Sequence, residues 1–463
     1  MAENILFLTG KLAEKSLHKV LAEMQPTPFT YDVTQLGVSV AALMTPEMIA
    51  RRLPDVGTAD RVVIPGLCVG ELAPLSEKYG VPVERGPQDL KDLPQYFGRG
   101  GKKPDLSQHN TLIFAEIVEA PHLTVEGIFK RAQHYQAQGA DVIDLGCLPN
   151  TPFPHLEDAV KMLKASGFNV SVDSLDSKDL LRGGHAGADY LLSLNEMLLW
   201  ICDEVAATPV LIPAKPGNMA SLYRAIEGMQ KKGRAFIADP ILDPIPFGLA
   251  TSIVRYHKLR KKYPDIAVMM GIGNLTELTD ADTTGINAVL FGIIAELGIN
   301  AVLTTSVSPH ARNAVAEADV ARRVMYAAGQ DQRLPRDYSS ALLGLHDRRP
   351  FPYNSEEIGE FAAQVKDGNF RIQVSVDGVH VYNREGQQID TDPFRLYPGL
   401  NVDDDASHAF YLGVELARAQ IAWQLGKRYV QDEALDWGCS SVKPDPRGRV
   451  AHRESAGGKK TKK

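Results

Sequence analysis

The sequence of 463 residues predicts a (β/α)₈ barrel between a small N-terminal α/β domain and a C-terminal α+β domain. The first observation is a repeated pattern between residues 111 and 328, in which a short apolar run, a polar turn and a helix-length segment recur eight times. The second is an alternation of shorter strands and helices before it, and the third is a hairpin signal with one long helix after it. A doubly wound open sheet is the alternative for the central segment, but eight units of even length favour closure.

These patterns divide the chain into four segments. We expect an N-terminal α/β domain at 1–105, a barrel at 110–328, a C-terminal α+β domain at 345–444 and a basic flexible tail at 445–463. The polar, glycine-rich residues 98–110 are predicted to be a linker.

The N-terminal segment alternates apolar runs with helical spacing. Strands are predicted at 4–9, 29–35, 61–65 and 81–84, with helices at 11–24, 45–52 and 71–79. Thr45 followed by Pro46 is typical of a helix N-terminus. A small, parallel sheet with helices beside it is the expected result.

The barrel strands are predicted from the eight apolar runs. They lie at 112–118, 142–145, 170–173, 190–195, 210–214, 235–239, 267–271 and 301–305. Helical segments follow Leu123, His155, Asp176, Glu196, Asn218, Phe247, Thr276 and Pro309. Asp176 precedes its helix as an expected N-cap.

The C-terminal segment combines a hairpin with a helix. Residues 370–376 and 379–382 flank the turn signal Asp377-Gly378, and residues 408–425 have the length and spacing of a long helix.

Composition excludes several classes of protein. No apolar stretch approaches the ~20 residues of a membrane helix, and the four cysteines form no C-x-x-C pair. A cytoplasmic protein without disulfides or a zinc site is therefore expected. The net charge is −7 although residues 441–463 hold eight Lys and Arg against two acidic residues, so we expect no nucleic-acid binding by the acidic body. The tail is interpreted as a solvated end, with a weak binding arm as the alternative.

Polar residues end several of the barrel strands, where the active sites of such barrels lie. Asp144, Asp173, Asn195 and Asp239 form a predicted ring at this mouth. One such polar residue would ordinarily cap a helix, but three carboxylates and an amide are costly to bury without a ligand. They suit a heterocycle with N–H donors, such as an amino-pyrimidinone edge, and a hard cation is the alternative.

Signals for phosphate binding are weaker. Gly271, Gly273 and Asn274 precede a predicted helix opening at Thr276, whose free backbone N–H groups would suit an anion. The other candidate anion contacts are Lys215, His310 and Arg312, each of which is equally compatible with an ordinary surface role. The sequence Thr9-Gly10-Lys11 follows a strand but lacks the spacing of a phosphate loop. Cys147 is expected to be inert because no base adjoins it in the sequence.

Five motifs at the strand ends resemble the pterin-binding barrel family, which includes dihydropteroate synthases and methyltetrahydrofolate-dependent methyltransferases. The motifs are GADVIDLG (139–146), NVSVDS (169–174), AGADYLLSLNE (186–196), FIADP (236–240) and MMGIGN (269–274). The resemblance implies a TIM barrel in which Asp173, Asn195 and Asp239 hold the pterin edge, with Asp144 and Gly271 beside them.

The departures from the synthase pattern concern its phosphate half. The first loop has Glu116 where a metal-binding Asn is expected, and CLPNTP (147–152) lacks the usual Arg. GIGNLTE (271–277) lacks the usual Lys, and strand eight ends in Thr304-Thr305 instead of Arg-x-His. The resemblance implies Mg²⁺, for which Glu116 is the stand-in ligand, and it implies no organic cofactor.

The whole layout is similar to a narrower group, the dihydropteroate synthase-related proteins of methanogens and of methylotrophs that use tetrahydromethanopterin. GIGNLTEL (271–278), TTSVSPHARNAV (304–315) and the segment 409–438 carry this resemblance. It implies a homodimeric transferase of one-carbon metabolism that joins a dihydropterin pyrophosphate to an arylamine, 4-(β-ribofuranosyl)aminobenzene 5′-phosphate. Asp173 and Asp239 are then the expected catalytic residues. Methyl transfer from a pterin to a corrinoid and a non-catalytic pterin-binding or scaffold role are the alternatives.

Overall fold

The computed structural model of the chain describes residues 3–38, 41, 44–87, 90–98 and 104–442. The predicted tail at 445–463 and residues 99–103 of the predicted linker lie outside them. The described residues fall into two compact units. Unit 1 contains residues up to 98 together with 345–436, and unit 2 contains residues 104–344 with 437–442. The boundaries of the predicted domains stay a prediction.

The N-terminal part of unit 1 is a parallel four-stranded sheet in the order β2-β1-β3-β4, which confirms the predicted parallel layer. Its elements are β1 (Asn4–Thr9), α1 (Glu14–Glu23), β2 (Thr30–Gln35), α2 (Pro46–Arg52), β3 (Arg61–Ile64), α3 (Ala73–Tyr79), β4 (Val83–Arg85) and α4 (Leu93–Tyr96). Thr45 caps α2 as predicted, since its side chain accepts a hydrogen bond from the backbone N–H of Met48 at 3.3 Å.

Unit 2 is a closed barrel of eight parallel strands, which confirms the predicted fold class. The strands are β5 (Leu112–Ile117), β6 (Val142–Gly146), β7 (Asn169–Asp173), β8 (Tyr190–Leu194), β9 (Thr208–Leu211), β10 (Ile237–Ala238), β11 (Ala267–Gly271) and β12 (Ala301–Thr304). The α-helices of this unit are α5 (Val125–Ala137), α6 (Leu156–Ala165), α7 (Ser177–Ala186), α8 (Ile201–Glu204), α9 (Met219–Lys232), α10 (Leu249–Lys262), α11 (Gly273–Thr276), α12 (Thr283–Leu297) and α13 (Ala314–Gln330). The barrel closes where β12 pairs with β5, with Ala301 opposite Leu112.

Alternation along the strands separates the core of the barrel from its shell. On β7, Val170 and Val172 face outward and pack in the large cluster shared with the helices. A smaller apolar cluster fills the inside of the barrel and consists of Phe114, Val142, Leu192, Val210, Ile237, Met269 and Ala301. The next inward positions of β5 and β6 are two residues further along, at Glu116 and Asp144, so polar groups lie directly above this layer.

The predicted helix opening at Thr276 is wrong. Thr276 instead ends the single turn α11, and the long helix α12 begins at Thr283. Asp280 and Asp282 lie between the two helices, in a polar segment that places the long apolar run of α12 further along the chain.

The C-terminal part of unit 1 contains the predicted hairpin and long helix. Its elements are α14 (Ser355–Gln364), β13 (Arg371–Ser375), β14 (Gly378–Asn383), β15 (Gly386–Asp390), α15 (Pro393–Leu396) and α16 (Ala406–Leu425). A third antiparallel strand, β15, pairs with β14 and was not predicted, because its sequence GQQID has one apolar residue and no strong strand pattern.

None of the described helices combines the length and the apolar composition that crossing a lipid bilayer requires.

Candidate active site

Three carboxylates converge at the carboxyl end of the barrel. Glu116, Asp144 and Asp173 each place an oxygen within 4.8 Å of the others. They come from the adjacent strands β5, β6 and β7, on which Glu116 pairs with Asp144 and Gly146 pairs with Asp173. The structure therefore brings the predicted metal ligand and two predicted pterin ligands into one group, which we call the acidic cluster.

Two serines donate hydrogen bonds to the acidic cluster. Ser171 Oγ donates to Asp144 Oδ1 at 2.5 Å, and Ser193 Oγ donates to Asp173 Oδ1 at 2.5 Å. Asp144 is fully buried, and its second oxygen, Oδ2, has no hydrogen-bond partner among the described residues. One buried carboxylate oxygen thus has acceptor capacity that the described residues do not use.

The backbone explains how Ser193 reaches Asp173. Ser193 has a φ of 71°, in the left-handed region, and the pairing of β8 with β9 shifts register between Leu191 and Leu194. Such an irregularity turns a side chain that would otherwise alternate with its neighbours. The local distortion is what directs the hydroxyl into the mouth.

Burial sets the proton affinity of the acidic cluster. Removal from water raises the pKa of Glu116 to about 7, with a further contribution from the charge of Asp173. Burial also raises the pKa of Asp144 well above its ordinary value, helped by the charges of Asp173 and Glu116. The pKa of Asp173 is raised by burial and lowered in part by the Ser193 hydrogen bond. Near neutral pH the cluster therefore favours a bound proton or cation over three free charges.

Asp239 follows β10 and is held separately from the acidic cluster. Its Oδ1 accepts from Tyr256 Oη at 2.7 Å and from the backbone N–H of Ile241 at 2.7 Å. Burial raises the pKa of Asp239 to about 6, while these two hydrogen bonds act in the opposite direction. Asp239 can thus present a carboxylate at neutral pH.

Asn195 serves in part as a cap. It follows β8, and its Oδ1 accepts from the backbone N–H of Met197 at 2.9 Å, which stabilises the 3₁₀ turn after the strand. The side chain is half-buried at the same end of the barrel as the carboxylates.

The turn after β11 contains Gly271, Gly273 and Asn274, three residues of the predicted sites. Asn274 Nδ2 donates to the carbonyl of Leu242 at 2.6 Å and so joins two loops of the mouth. Gly271 and Gly273 lie at the end of β11 and in the single turn α11, and Gly271 has no other group within 4 Å of the position a Cβ would take. Open space in front of Gly271 is compatible with a flat ligand.

The predicted cationic contacts lie on the exposed surface of the loops. Lys215, His310 and Arg312 are all exposed, and His310 Nε2 lies 3.1 Å from the carbonyl of Thr276. None of the three lines the cleft described below.

A cleft of about 1090 Å³ opens beside the acidic cluster. Glu116, Asp173 and Ser193 line it, together with the loop residues 147–154 after β6 and 174–177 after β7. Cys147 lies in this wall, where burial and nearby carboxylates raise the pKa of its thiol, consistent with the predicted inert role.

Arg182 lines the wall of the cleft, and sequence reasoning missed it. Its guanidinium donates to both oxygens of Glu157, at 2.7 and 2.6 Å, to Asp179 at 3.0 Å and to the carbonyl of Phe153 at 2.8 Å. Ser193 and Tyr256 were also missed, the first because of its unusual φ and the second because it lies on helix α10. Because Arg182 is paired with Glu157 and Asp179, carboxylates are the main charged groups facing the cleft.

The acidic cluster has the donors that Mg²⁺ prefers. All three ligands are carboxylate oxygens, and the unpartnered Oδ2 of Asp144 adds an acceptor that the protein leaves unused. The residues present therefore fit the metal that the family resemblance implies.

Comparison with known proteins gives relatives for different parts of the chain. Residues 3–88 match a protein family described as a family of unknown function (DUF6513). A protein of Methanocaldococcus jannaschii, described as uncharacterized, is 28% identical over 521 aligned residues, which cover 92% of this chain and 98% of that protein.

The solved structures similar to this chain include dihydropteroate synthases. The enzyme from Yersinia pestis with a pterin–sulfa conjugate is 16% identical, with a TM-score of 0.38, and covers 49% of this chain and 95% of that one. The enzyme from Xanthomonas albilineans in complex with 7,8-dihydropteroate is 18% identical, with a TM-score of 0.37, and covers 49% and 94%. The enzyme from Vibrio fischeri is 13% identical, with a TM-score of 0.38, and covers 49% and 94%.

Proposed function

We propose that the barrel binds a reduced pterin and that the protein is a dihydropteroate synthase-like transferase. The observation that carries this proposal is the set of inward carboxylates at one barrel mouth, formed by the acidic cluster and Asp239. A ligand edge rich in N–H donors would satisfy acceptors that are otherwise costly to bury.

The pterin would lie with its amino-pyrimidinone edge toward the predicted residues. Asp239 has one oxygen engaged by Tyr256 and Ile241, so the hydrogen bonds of Oδ1 fix the orientation of the whole carboxylate. Asp173, Asp144 and Asn195 would complete the polar edge, and the space before Gly271 would admit the ring.

The reaction proposed is the joining of a dihydropterin pyrophosphate to an arylamine, with 4-(β-ribofuranosyl)aminobenzene 5′-phosphate as the expected arylamine. As pyrophosphate leaves the exocyclic methylene of the pterin, cationic character develops there. Asp173 and Asp239 would stabilise this charge while the arylamine nitrogen attacks. Lys215, Gly273, Asn274, His310 and Arg312 are the proposed contacts for phosphate groups.

Glu116 is the proposed metal ligand for Mg²⁺. When bound, this ion would supply positive charge to oxygen atoms of the leaving group. A homodimer and a place in tetrahydromethanopterin biosynthesis belong to the same proposal.

Methyl transfer from a methylated pterin to a corrinoid is the second candidate, and one observation favours it. Arg182, which lines the cleft, already donates to Glu157 and Asp179. A methyl donor needs no pyrophosphate site, so a cleft without an unpaired arginine would suit it.

One assay separates these functions. The protein is incubated with dihydropterin pyrophosphate and the ribosylated arylamine phosphate, and pyrophosphate and condensed product are measured. Product that is lost in Asp239→Asn but kept in Asp203→Asn, an exposed aspartate paired with Lys232, would support the synthase. Methyl transfer to an added corrinoid would select the second candidate.

Pterin binding without either reaction would point to a third outcome. Tight pterin binding that Asp239→Asn abolishes, with neither reaction detected, would leave a non-catalytic pterin-binding protein. Absence of pterin binding to the wild-type chain would refute the proposal as a whole.

A further inference from the structure

We propose that Glu116, Asp144 and Asp173 together hold one divalent cation of the Mg²⁺ or Mn²⁺ type, bridging strands β5, β6 and β7. This extends the single expected ligand, Glu116, to a site with three protein ligands. The use of the cation rests on the proposed function, whereas its binding does not.

The distances suit a shared ion. Each of the three residues offers an oxygen within 4.8 Å of the other two. Ligand oxygens lie at about 2.0–2.1 Å from Mg²⁺ and about 2.3–2.6 Å from Ca²⁺, so two oxygens on opposite sides of one ion lie roughly 4–5 Å apart. The three oxygens are therefore close enough together to bind one cation.

A second observation points to a missing ligand. Asp144 is 0% exposed, and its Oδ2 has no hydrogen-bond partner in the described part of the chain. Its other oxygen, Oδ1, already accepts from Ser171. Because Asp144 is an inward residue of β6 beside Glu116 and Asp173, a cation between them would satisfy the orphaned oxygen.

Within the described part of the chain, no side chain of opposite charge pairs with the acidic cluster. Among the ion pairs seen in the described residues, none joins a lysine or arginine to Glu116, Asp144 or Asp173. Arg182 lines the adjoining cleft, but it is paired with Glu157 and Asp179. An external cation is thus the available partner for one buried carboxylate, Asp144, and two half-buried ones, Glu116 and Asp173.

The backbone keeps room for Glu116. A Cβ at position 146 would lie 2.7 Å from Glu116 Oε1, so glycine is the residue that lets this carboxylate sit above β6. Thr305 Oγ1 donates to the backbone carbonyl of Glu116 at 2.8 Å and fixes the end of β5. The site is therefore built by three neighbouring strand ends and a small residue between them.

A cation here would border the cleft that Glu116 and Asp173 line. Within the proposed function the cation would provide positive charge for the pyrophosphate. Arg182 is already paired with Glu157 and Asp179. Each carboxylate has about four lone-pair sites, so Asp173 can bind a cation and still accept from Ser193 or a ligand N–H.

The test uses the full chain stripped of metal with a chelator. Mg²⁺ and Mn²⁺ are titrated by calorimetry, and bound Mn²⁺ is counted by electron paramagnetic resonance. We expect one site per chain and a loss of at least ~100-fold in affinity in both Glu116→Gln and Asp144→Asn, since changing a residue that only hydrogen-bonds to a metal ligand already costs about 10–100-fold. The matched control is Glu119→Gln, an exposed carboxylate three residues from Glu116 and outside the cluster, which should bind as wild type.

Two results would overturn the metal site. One is the absence of stoichiometric Mn²⁺ in the wild-type chain, and the other is wild-type affinity in either folded cluster variant. Circular dichroism checks the folding of both variants. If one of them fails to fold, the Mn²⁺ affinity of the other still tests the site.

The same samples separate this inference from the proposed function. Metal binding with no condensation reaction would leave the site intact and refute the synthase alone. Condensation by a wild-type chain that binds no stoichiometric Mn²⁺ when the ion is added back would refute the site alone. Asp239→Asn should lose pterin and keep Mn²⁺, while Glu116→Gln should lose Mn²⁺.

Discussion

A single hydroxyl tunes the carboxylate of Asp239. Burial raises the pKa of Asp239 to about 6, and the hydrogen bond that Tyr256 donates at 2.7 Å keeps this pKa from rising further. If pterin binding needs the ionised form, binding weakens as the pH falls through this value. In Tyr256→Phe the pKa of Asp239 rises, and we expect the loss of binding to begin at a higher pH.

Calorimetric titration of 7,8-dihydropterin between about pH 5 and pH 8 measures this shift. Tyr263→Phe is the control, because Tyr263 lies at the end of α10 and its hydroxyl contacts Glu227 instead of the mouth. An unchanged pH profile in Tyr256→Phe would show that Asp239 does not govern binding.

Gly146 determines the position of Glu116. An alanine Cβ at this site would lie 2.7 Å from Glu116 Oε1, closer than real contacts of that kind. Because the carboxylate is the flexible end of a side chain, it can move without unfolding the barrel. We expect Gly146→Ala to keep the melting temperature within a few degrees and to weaken Mn²⁺ binding at least ~10-fold, equivalent to about 1.4 kcal/mol.

Gly285→Ala provides the comparison for Gly146→Ala, because a Cβ at 285 would meet no other group within 4 Å. Unchanged Mn²⁺ affinity in Gly146→Ala, measured by calorimetry, would argue against Glu116 as a ligand.

The residues at the barrel mouth differ in how far their positions can be predicted from the sequence. Asp144 and Asp173 end apolar runs, and strand alternation is enough to aim them inward together with Glu116. Ser193 escapes this rule because its positive φ and the register shift break the alternation. Tyr256 lies on α10, 17 residues after Asp239, and its contact with Asp239 depends on packing between helix and strand that hydrophobic periodicity does not indicate.

At the scale of elements, one side chain holds the loop after β6. Arg182 on α7 donates to the carbonyl of Phe153 in that loop and to Glu157 on α6. We expect Arg182→Met, which keeps the apolar stem, to raise amide hydrogen exchange of residues 147–155 by about 10-fold or more and to leave the barrel strands protected.

Mass spectrometry of exchanged peptides checks the effect of Arg182→Met. The comparison is Arg224→Met, which removes an exposed pair with Glu196 and should leave residues 147–155 unchanged. Wild-type exchange in the loop of Arg182→Met would mean that other contacts hold it.

Elements with strong periodicity were the predictable ones. All eight barrel strands and the long helix α16 follow clear apolar patterns, and their ends differ from the predicted ends by a few residues. The short turn α11 and strand β15 were not predicted, since a one-turn helix and a polar edge strand carry little hydrophobic signal.

At the scale of the molecule, unit 1 is made from both ends of the described chain. Arg428 donates to Asp92 at 2.7 Å, which joins the C-terminal part to the N-terminal part. A cavity of about 330 Å³ has walls from both, with Phe7 and Leu8 on one side and Phe361 and Tyr382 on the other. Local sequence patterns do not reveal such pairing, because it links residues more than 300 positions apart.

This arrangement predicts the result of a cut in the chain. With a protease site introduced between residues 98 and 104, the cleaved N-terminal fragment should stay with the remainder on gel filtration. The physical reason is that the fragment and residues 345–436 belong to one compact unit, line one cavity and are joined by the ion pair of Arg428 with Asp92. A fragment that elutes alone without denaturant would contradict the shared unit, and the uncut protein is the reference.

The divided chain of unit 1 also constrains the order in which the protein can form on a ribosome. The N-terminal sheet is synthesised first, yet its partner residues follow only after the whole barrel. At about 5–20 residues per second, roughly tens of seconds separate the two halves. During that interval the nascent sheet has the apolar residues that later line the cavity but lacks the segment that covers them. A chaperone that shields apolar surface would therefore act most usefully on the nascent chain before residues 345–436 are synthesised.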